Sequence, residues 1–494
     1  MKHSHAIAAA ATALLLVIGG AATSAVAAPV APVPPPAASH ASLTTTPAEH
    51  ALSSGVATAV TGGAYMPKDI NPGSLGSVQP VPQFINAFAK TGSYVVFSAY
   101  TTDTGYELWR TQGTTSTTTM IKDIYSGATG SSPVDFVTMG KYVYFQAADS
   151  AHGAELWRTN GTTAGTTIVA DTNPGGGSGN PYDLTVMGST LYFNSNDGVD
   201  GIELWKTNGT AAGTAMVRDI NPAGSGLPQF PMAVIGNTIY FEGNDGSHGY
   251  ELWESRGTVG STQLVADINP GSADADPSDL TVYKGELYFV AQSPSFGVEL
   301  WVVDGTNAAI VRDIDSGTAG SYPNYLTATS GYLYFSAGDG VTGDELWRTD
   351  GTFSGTQRAM DINPGSSGSG PNAFAAVGSS VYFDASDGSH ADELWKSNGT
   401  GATTILVKTL STISGTGPSK LYAVGSKVYF NGTDDTAGSQ LWVTGGTASS
   451  TKRVTVLTVS PGGSSPFNLF ASSGKLYFGA TTPTYGPEVW VYKY

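Results

Sequence analysis

Cysteine is absent from all 494 residues. Disulfides, thiolate metal sites, cysteine nucleophiles and lipid anchoring through an N-terminal cysteine are therefore excluded. Charge is scarce as well. Only 12% of residues are charged, and 39 acids outnumber 22 bases, for a formal net charge of −17. Duplex nucleic acid is excluded as a partner, because its binding rests on Lys and Arg neutralising phosphates. Beyond residue 30 helix formers are sparse, and no apolar run approaches the length of a membrane-spanning helix.

What the chain does hold is glycine and aromatics. There are 64 Gly, 24 Tyr, 18 Phe and 9 Trp, a composition of short strands and tight turns. The N-terminus reads as an export signal over residues 1–27. Lys2, His3 and His5 form a weakly basic start, Ala6 to Ile18 an apolar core, and Ala25-Val26-Ala27 a cleavage site; an uncleaved anchor is the alternative. Residues 28–61, with Pro34-Pro35-Pro36 and an Ala/Ser/Thr stretch, read as an extended linker. The protein is thus expected outside the cell, at its surface or in the periplasm.

From residue 62 to 494 the chain repeats itself. The nine tryptophans, Trp109, Trp157, Trp205, Trp253, Trp301, Trp347, Trp395, Trp442 and Trp490, recur every 46 to 48 residues. Each follows by twelve residues a phenylalanine of an apolar run, from Phe97 and Phe145 to Phe430 and Phe478. One copy shows the parts: apolar segments at Asp183–Met187, Thr190–Phe193, Ile202–Lys206 and Thr214–Arg218, parted by Gly188-Ser189, Asn196-Asp197-Gly198 and Asn208-Gly209. Four short strands per unit with Gly/Asn/Asp turns predict a β-propeller blade. Apolar residues on both strand faces suit a blade held between two neighbours.

The ends predict closure. Ala64 to Gly73 matches the fourth strand and exit loop of a unit without its first three strands, whereas the last copy stops at Tyr494 without a fourth. The expected fold is an all-β propeller of four-stranded blades, nine in number, closed by an N-terminal strand completing the C-terminal blade. Nine exceeds the usual four to eight, so an open or distorted array is the alternative.

The recurring text resembles the ELWxxDGT repeat family of exported bacterial proteins. Glu345-Leu-Trp-Arg-Thr-Asp-Gly-Thr352 matches it fully, and the copies at Glu155, Glu203 and Glu393 carry Asn for Asp. The last two copies depart, with Gln440-Leu-Trp442 and Glu488-Val-Trp490. The resemblance implies a repeat domain on exported or surface proteins and no defined reaction. Ala337 to Trp347 is also similar to the tryptophan-docking motif of quinoprotein propellers. That similarity implies that the nine tryptophans pack between blades, and it does not carry the quinone cofactor.

Recurrence shapes the reading of every candidate site. The glutamates Glu107, Glu155, Glu203, Glu251, Glu299, Glu345, Glu393 and Glu488 lie on separate blades, so they do not converge as a catalytic pair. They are expected to pair across strands with Lys or Arg: Glu203 with Arg218, Glu107 with Lys122, Glu299 with Arg312. Asp149, Asp197, Asp245, Asp339, Asp387 and Asp434 are expected to close turns; calcium is the alternative, with Ser272-Ala-Asp-Ala-Asp-Pro277 the nearest text to a binding loop. His152, His248 and His390 share one loop in three blades and are read as polar loop residues. Asn160, Asn208, Asn398 and Asn431 fit glycosylation sequons, but they also fit Asn-Gly turns, which the repeat explains better. Nothing assembles a nucleophile, base and stabiliser. The expected function is a non-catalytic extracellular binding or scaffold protein, monomeric, without catalytic, cofactor or metal residues, presenting loops to a glycan, protein or surface ligand. A hydrolase or lyase with a site at the central channel is the alternative.

Overall fold

The computed structural model describes residues 63–82, 85–390, 392–411, 416–458 and 462–494; residues 1–61, where the export signal and linker are expected, fall outside them. Nine four-stranded antiparallel sheets are arranged in a ring, a nine-bladed β-propeller. Blade 1 consists of Phe88–Thr91, Tyr94–Thr101, Gly105–Thr111 and Thr119–Lys122. Blades 2 to 8 follow over 134–170, 182–218, 233–266, 278–312, 324–360, 372–408 and 419–453. Blade 9 has Phe467–Ser472, Lys475–Thr482 and Gly486–Lys493, with Ala64–Tyr65 as its fourth strand: Ala64 pairs with Tyr492 and Tyr65 with Val491. First strands of successive blades pack side by side, and that of blade 9 meets that of blade 1. The edges an open array would expose are thereby removed.

The constant interval between Phe and Trp has a direct meaning. Phe193 and Trp205 are paired partners on the second and third strands, as are Phe97 and Trp109, Phe335 and Trp347, and Phe478 and Trp490. The nine phenylalanines are all less than 2% exposed. The apolar clusters run between blades. Trp157 packs with Leu108 and Ile121 of blade 1, Trp347 with Leu300 and Val311 of blade 5, and Trp109 with Val489 and Val491 of blade 9. Eight of the tryptophans are fully buried and Trp205 is half-buried.

The glycine after Asn208 is also explained by a neighbouring blade. Gly209 has φ +90°, and a Cβ there would collide with the hydroxyl of Tyr144 in blade 2. Gly257 against Tyr192 and Gly351 against Tyr288 repeat the contact. Only glycine satisfies both the left-handed backbone and the approach.

Candidate functional site

The third and fourth strands depart from simple pairing in one respect. Lys206 faces Ala215 and Trp205 faces Met216, but Leu204 then faces Arg218. A one-residue bulge at this point recurs in blades 1 to 7. It moves Arg218 opposite Leu204 and so to the other face of the sheet from Glu203. The expected cross-strand ion pairs therefore do not form.

The glutamates instead turn inward onto the loop leading to the next blade. Glu107 accepts the backbone N–H groups of Ile124 at 2.9 Å, Tyr125 at 3.0 Å and Ser131 at 2.9 Å, and the Ser131 hydroxyl at 2.7 Å. Glu203 accepts Ile220 N–H at 2.9 Å and Gly226 N–H at 2.8 Å. Glu488 does the same across the termini, accepting Ile70 and Asn71 N–H, each at 3.4 Å, and the Ser77 hydroxyl at 2.6 Å. Gln440, in the degenerate eighth copy, keeps the arrangement: its Oε1 accepts Leu457 N–H at 3.2 Å and Ser464 Oγ at 2.9 Å. Burial outweighs these donors and pushes Glu203, Glu251, Glu299, Glu393 and Glu488 up to about 7.

The released cations reach across the blade boundary. Lys122 Nζ donates to Thr166 O at 3.1 Å and lies 5.2 Å from the Trp157 ring; Arg218 donates to Thr262 O at 2.6 Å and lies 5.7 Å from Trp253. Lys408 and Lys68 stand likewise over Trp442 and Trp109. In blade 2 the position is Ala170, and the tryptophan beyond it is Trp205, the one left half-buried.

The turn aspartates accept backbone N–H groups of their own loops. Asp197 Oδ1 takes Val199 at 2.9 Å and Asp200 at 2.7 Å, and Asp339 Oδ1 takes Val341 at 3.0 Å and Thr342 at 2.8 Å. His152, His248 and His390 each pair with the aspartate three residues before, at 2.9, 2.8 and 2.9 Å. The pairing holds Asp149 below the usual carboxylate range, and the Asp149 hydrogen bond raises His152. No group of three His, Cys, Asp or Glu suited to a metal occurs among the described residues. Asn160 and Asn208 close Asn-Gly turns through Thr162 and Thr210. Asn431 does not: it lies within the strand Lys427–Asp434 and meets Ser439.

Sequence reasoning missed a set of acids near the ring centre. Asp135, Asp183 and Asp279 share a left-handed position (φ 56°, 55° and 51°) at a bulge on the first strands. Asp135 accepts Leu184 N–H of blade 3 at 3.0 Å and is also bonded by the Asn86 backbone of blade 1, so one carboxylate ties three blades. Burial pushes it up to about 6. Asp279 accepts Tyr325 N–H of blade 6 at 2.8 Å. The signal was present: each stands ten residues before Phe145, Phe193 or Phe289. Glu242, on the second strand of blade 4, is buried without a hydrogen bond among the described residues; burial and the charges of Asp276 and Asp274 push it up to about 9.

The repeat is broken most at blade 1. Ser77 to Phe97 spans six residues more than the equivalent Ser131 to Phe145. The extra chain lies against the first strands of blades 9, 1 and 2. Asn468 of blade 9 accepts Val81 N–H at 3.2 Å and donates to Gln79 O at 2.9 Å, and Phe136 N–H of blade 2 reaches Asn86 O at 3.1 Å. Between them opens a small recess of about 50 Å³. Phe88, Phe97, Phe136 and Val81 supply its apolar wall, and Gln79, Asn86, Ser98, Tyr106, Ser132 and Asn468 its polar groups. None of the residues lining it is charged. Tyr106 Oη lies 3.4 Å from Gln79 Oε1, and burial raises its hydroxyl above the ordinary tyrosine value.

Comparison with protein-family models and with curated proteins finds no match. Among solved structures the chain is similar to the computationally designed Ika8 protein, with 15% identity, 73% of this chain and 95% of that one covered, and a TM-score of 0.42. It is also similar to puromycin hydrolase, with 13% identity over 70% of this chain and a TM-score of 0.37; this chain spans 58% of that one. A puromycin-hydrolyzing peptidase of Mycobacterium tuberculosis has 11% identity over 84% of this chain, 62% of its own, and a TM-score of 0.39.

Proposed function

We propose that the protein is an exported, non-catalytic binding protein of the ELWxxDGT repeat type, and that the recess at the start of blade 1 takes a neutral glycan. The observation that carries this is the recess itself: where the repeat departs most from its pattern, an acidic chain forms a concavity of aromatic, amide and hydroxyl groups. Binding sites combine an apolar wall with a few placed polar groups. Uncharged sugars offer an apolar CH face for Val81 and the Tyr106 ring and hydroxyls for Gln79, Asn86 and Ser98. The nine tryptophans then act as packing between blades, and the eight glutamates as latches for the loops.

A glycan array probed with the purified protein tests the reading. Neutral oligosaccharides should be retained, and Gln79→Ala and Ser98→Ala should each weaken binding at least tenfold at unchanged melting temperature. Retention unaffected by either variant, or no retention of any neutral glycan, overturns it.

A further inference from the structure

An antiparallel blade has two ends. The exit loops and the second-to-third turns share one face of the ring, and the first-to-second hairpins and third-to-fourth turns share the other. Charge is divided between these faces. Every described aspartate except Asp304 and Asp350 lies towards the exit-loop face. Of the described bases, only Arg358, Arg453 and Lys420 join them there, and two of these are paired, Arg358 with Asp339 at 3.5 Å and Arg453 with Asp434 at 3.1 Å. Lys68, Lys122, Arg218, Arg312 and Lys408 lie between blades. The remaining described lysines and arginines stand towards the hairpin face, where the acids are limited to Glu254, Glu286, Asp304 and Asp350.

The innermost hairpins rim the mouth of the central channel, because first strands line the ring. In or beside them stand Lys90, Lys141, Lys284, Lys427 and Lys475. Lys141 lies 5.3 Å from the ring of Tyr142 and Lys284 4.9 Å from that of Tyr283. The exposed ammonium groups of Lys90 and Lys427 meet no hydrogen-bond acceptor among the described residues. Half-buried tyrosines lie alongside under arginines, Tyr94 at 4.4 Å from Arg110 and Tyr332 at 3.9 Å from Arg348.

We propose that the hairpin face is a second binding surface, and that it takes a polyanionic polysaccharide laid across the lysine-rimmed channel mouth. A cationic face on a chain of net charge −17 is an oriented field, which draws an anion to one side and repels it from the other. A polymer with one carboxylate per sugar suits cations spread round a ring, here on blades 1, 2, 5, 8 and 9. The exposed large hydrophobic residues of this face, Val259, Val282, Phe353, Ile405 and Tyr494, sit singly on five different blades, which favours a polymer over a lipid surface.

The test uses the purified full chain with polygalacturonate as probe, alongside dextran and phosphatidylglycerol vesicles. Polygalacturonate should bind at low ionic strength and lose at least tenfold in affinity as salt is raised. Replacing Lys90, Lys141, Lys284 and Lys427 together by Gln should cost at least tenfold, whereas Lys420→Gln on the opposite face and Gln79→Ala in the recess should leave binding unchanged. The proposal is overturned by absent binding, equal binding of dextran, an unaffected quadruple variant, or binding of vesicles in place of the polymer. The recess reading survives or fails separately, on its own variants.

Discussion

The hydroxyl of Ser77 donates a 2.6 Å hydrogen bond to Glu488, 411 residues away, and this bond repeats across the termini the one Ser131 makes to Glu107 within the chain. A hydrogen bond to a buried charged group is worth about 1.5–3 kcal/mol. Ser77→Ala should therefore lower stability by about that amount, measured by denaturant titration. Deleting residues 63–77 should do more, leaving blade 9 with three strands and an unpaired edge, and should promote aggregation seen by light scattering. A deletion variant that stays monomeric with unchanged melting temperature contradicts the closure.

The tryptophans should differ in their cost. Trp157→Ala removes a fully buried ring with a lysine over it and should destabilise by about 3–5 kcal/mol. Trp205→Ala should cost less, because that ring is only half-buried. The gap is itself testable: Ala170→Lys should cover Trp205, blue-shift its fluorescence and stabilise by about 0.5–1 kcal/mol. Equal costs for the two Trp→Ala changes would count against the covering role of Lys122.

Much of this architecture is written in the spacing of the residues. The interval from Phe193 to Trp205 marks a pairing, and the surplus strand at Ala64 marks the closure, because both depend only on counting along an antiparallel meander. The glutamate contacts were not legible, since a single bulged residue between Met216 and Arg218 reverses the face on which Arg218 projects, and nothing in the local composition announces it. Asp135 and Asp183 went unseen for a different reason. Asp183 is held by Asn194 of its own blade, whereas the bonds of Asp135 join different blades, and only the ring geometry brings Leu184 and Asn86 to one carboxylate. The recess depends on the longer segment after Ser77, visible as extra residues but silent about where they lie.

Stability should fall as the pH rises. Glu203, Glu251, Glu299, Glu393 and Glu488 are pushed up to about 7 from an ordinary 4.5, so the folded state binds more protons than the unfolded chain between those values. Their contribution is complete below 4.5 and is lost as pH climbs through about 7. His152 and His248, raised by their aspartates, act in the same direction above 6.5. Melting temperature should be higher at pH 5 than at pH 8; the reverse order refutes the assignment.

Chelation should have no effect on the turns. Asp197 and Asp339 each already have Oδ1 engaged by two backbone N–H groups, so EDTA should leave the melting temperature unchanged and added calcium should move it little. A saturable upward shift at micromolar calcium, abolished by Asp197→Asn or Asp339→Asn, would show that these loops hold an ion.

The glutamate latch makes no distinction between blades whose third strand runs on into the fourth and blade 9, whose third and fourth strands come from opposite ends of the described chain. Glu488 grips residues 70–77 in the manner in which Glu107 grips 124–131. Backbone continuity from third strand to fourth is thus one of two fastenings, and the glutamate bonded to the exit loop is the other. A circular permutant, opened between Thr159 and Thr167 and joined through a linker from Tyr494 to Gly63, would present the same nine blades in the same order, with Glu155 holding the new seam.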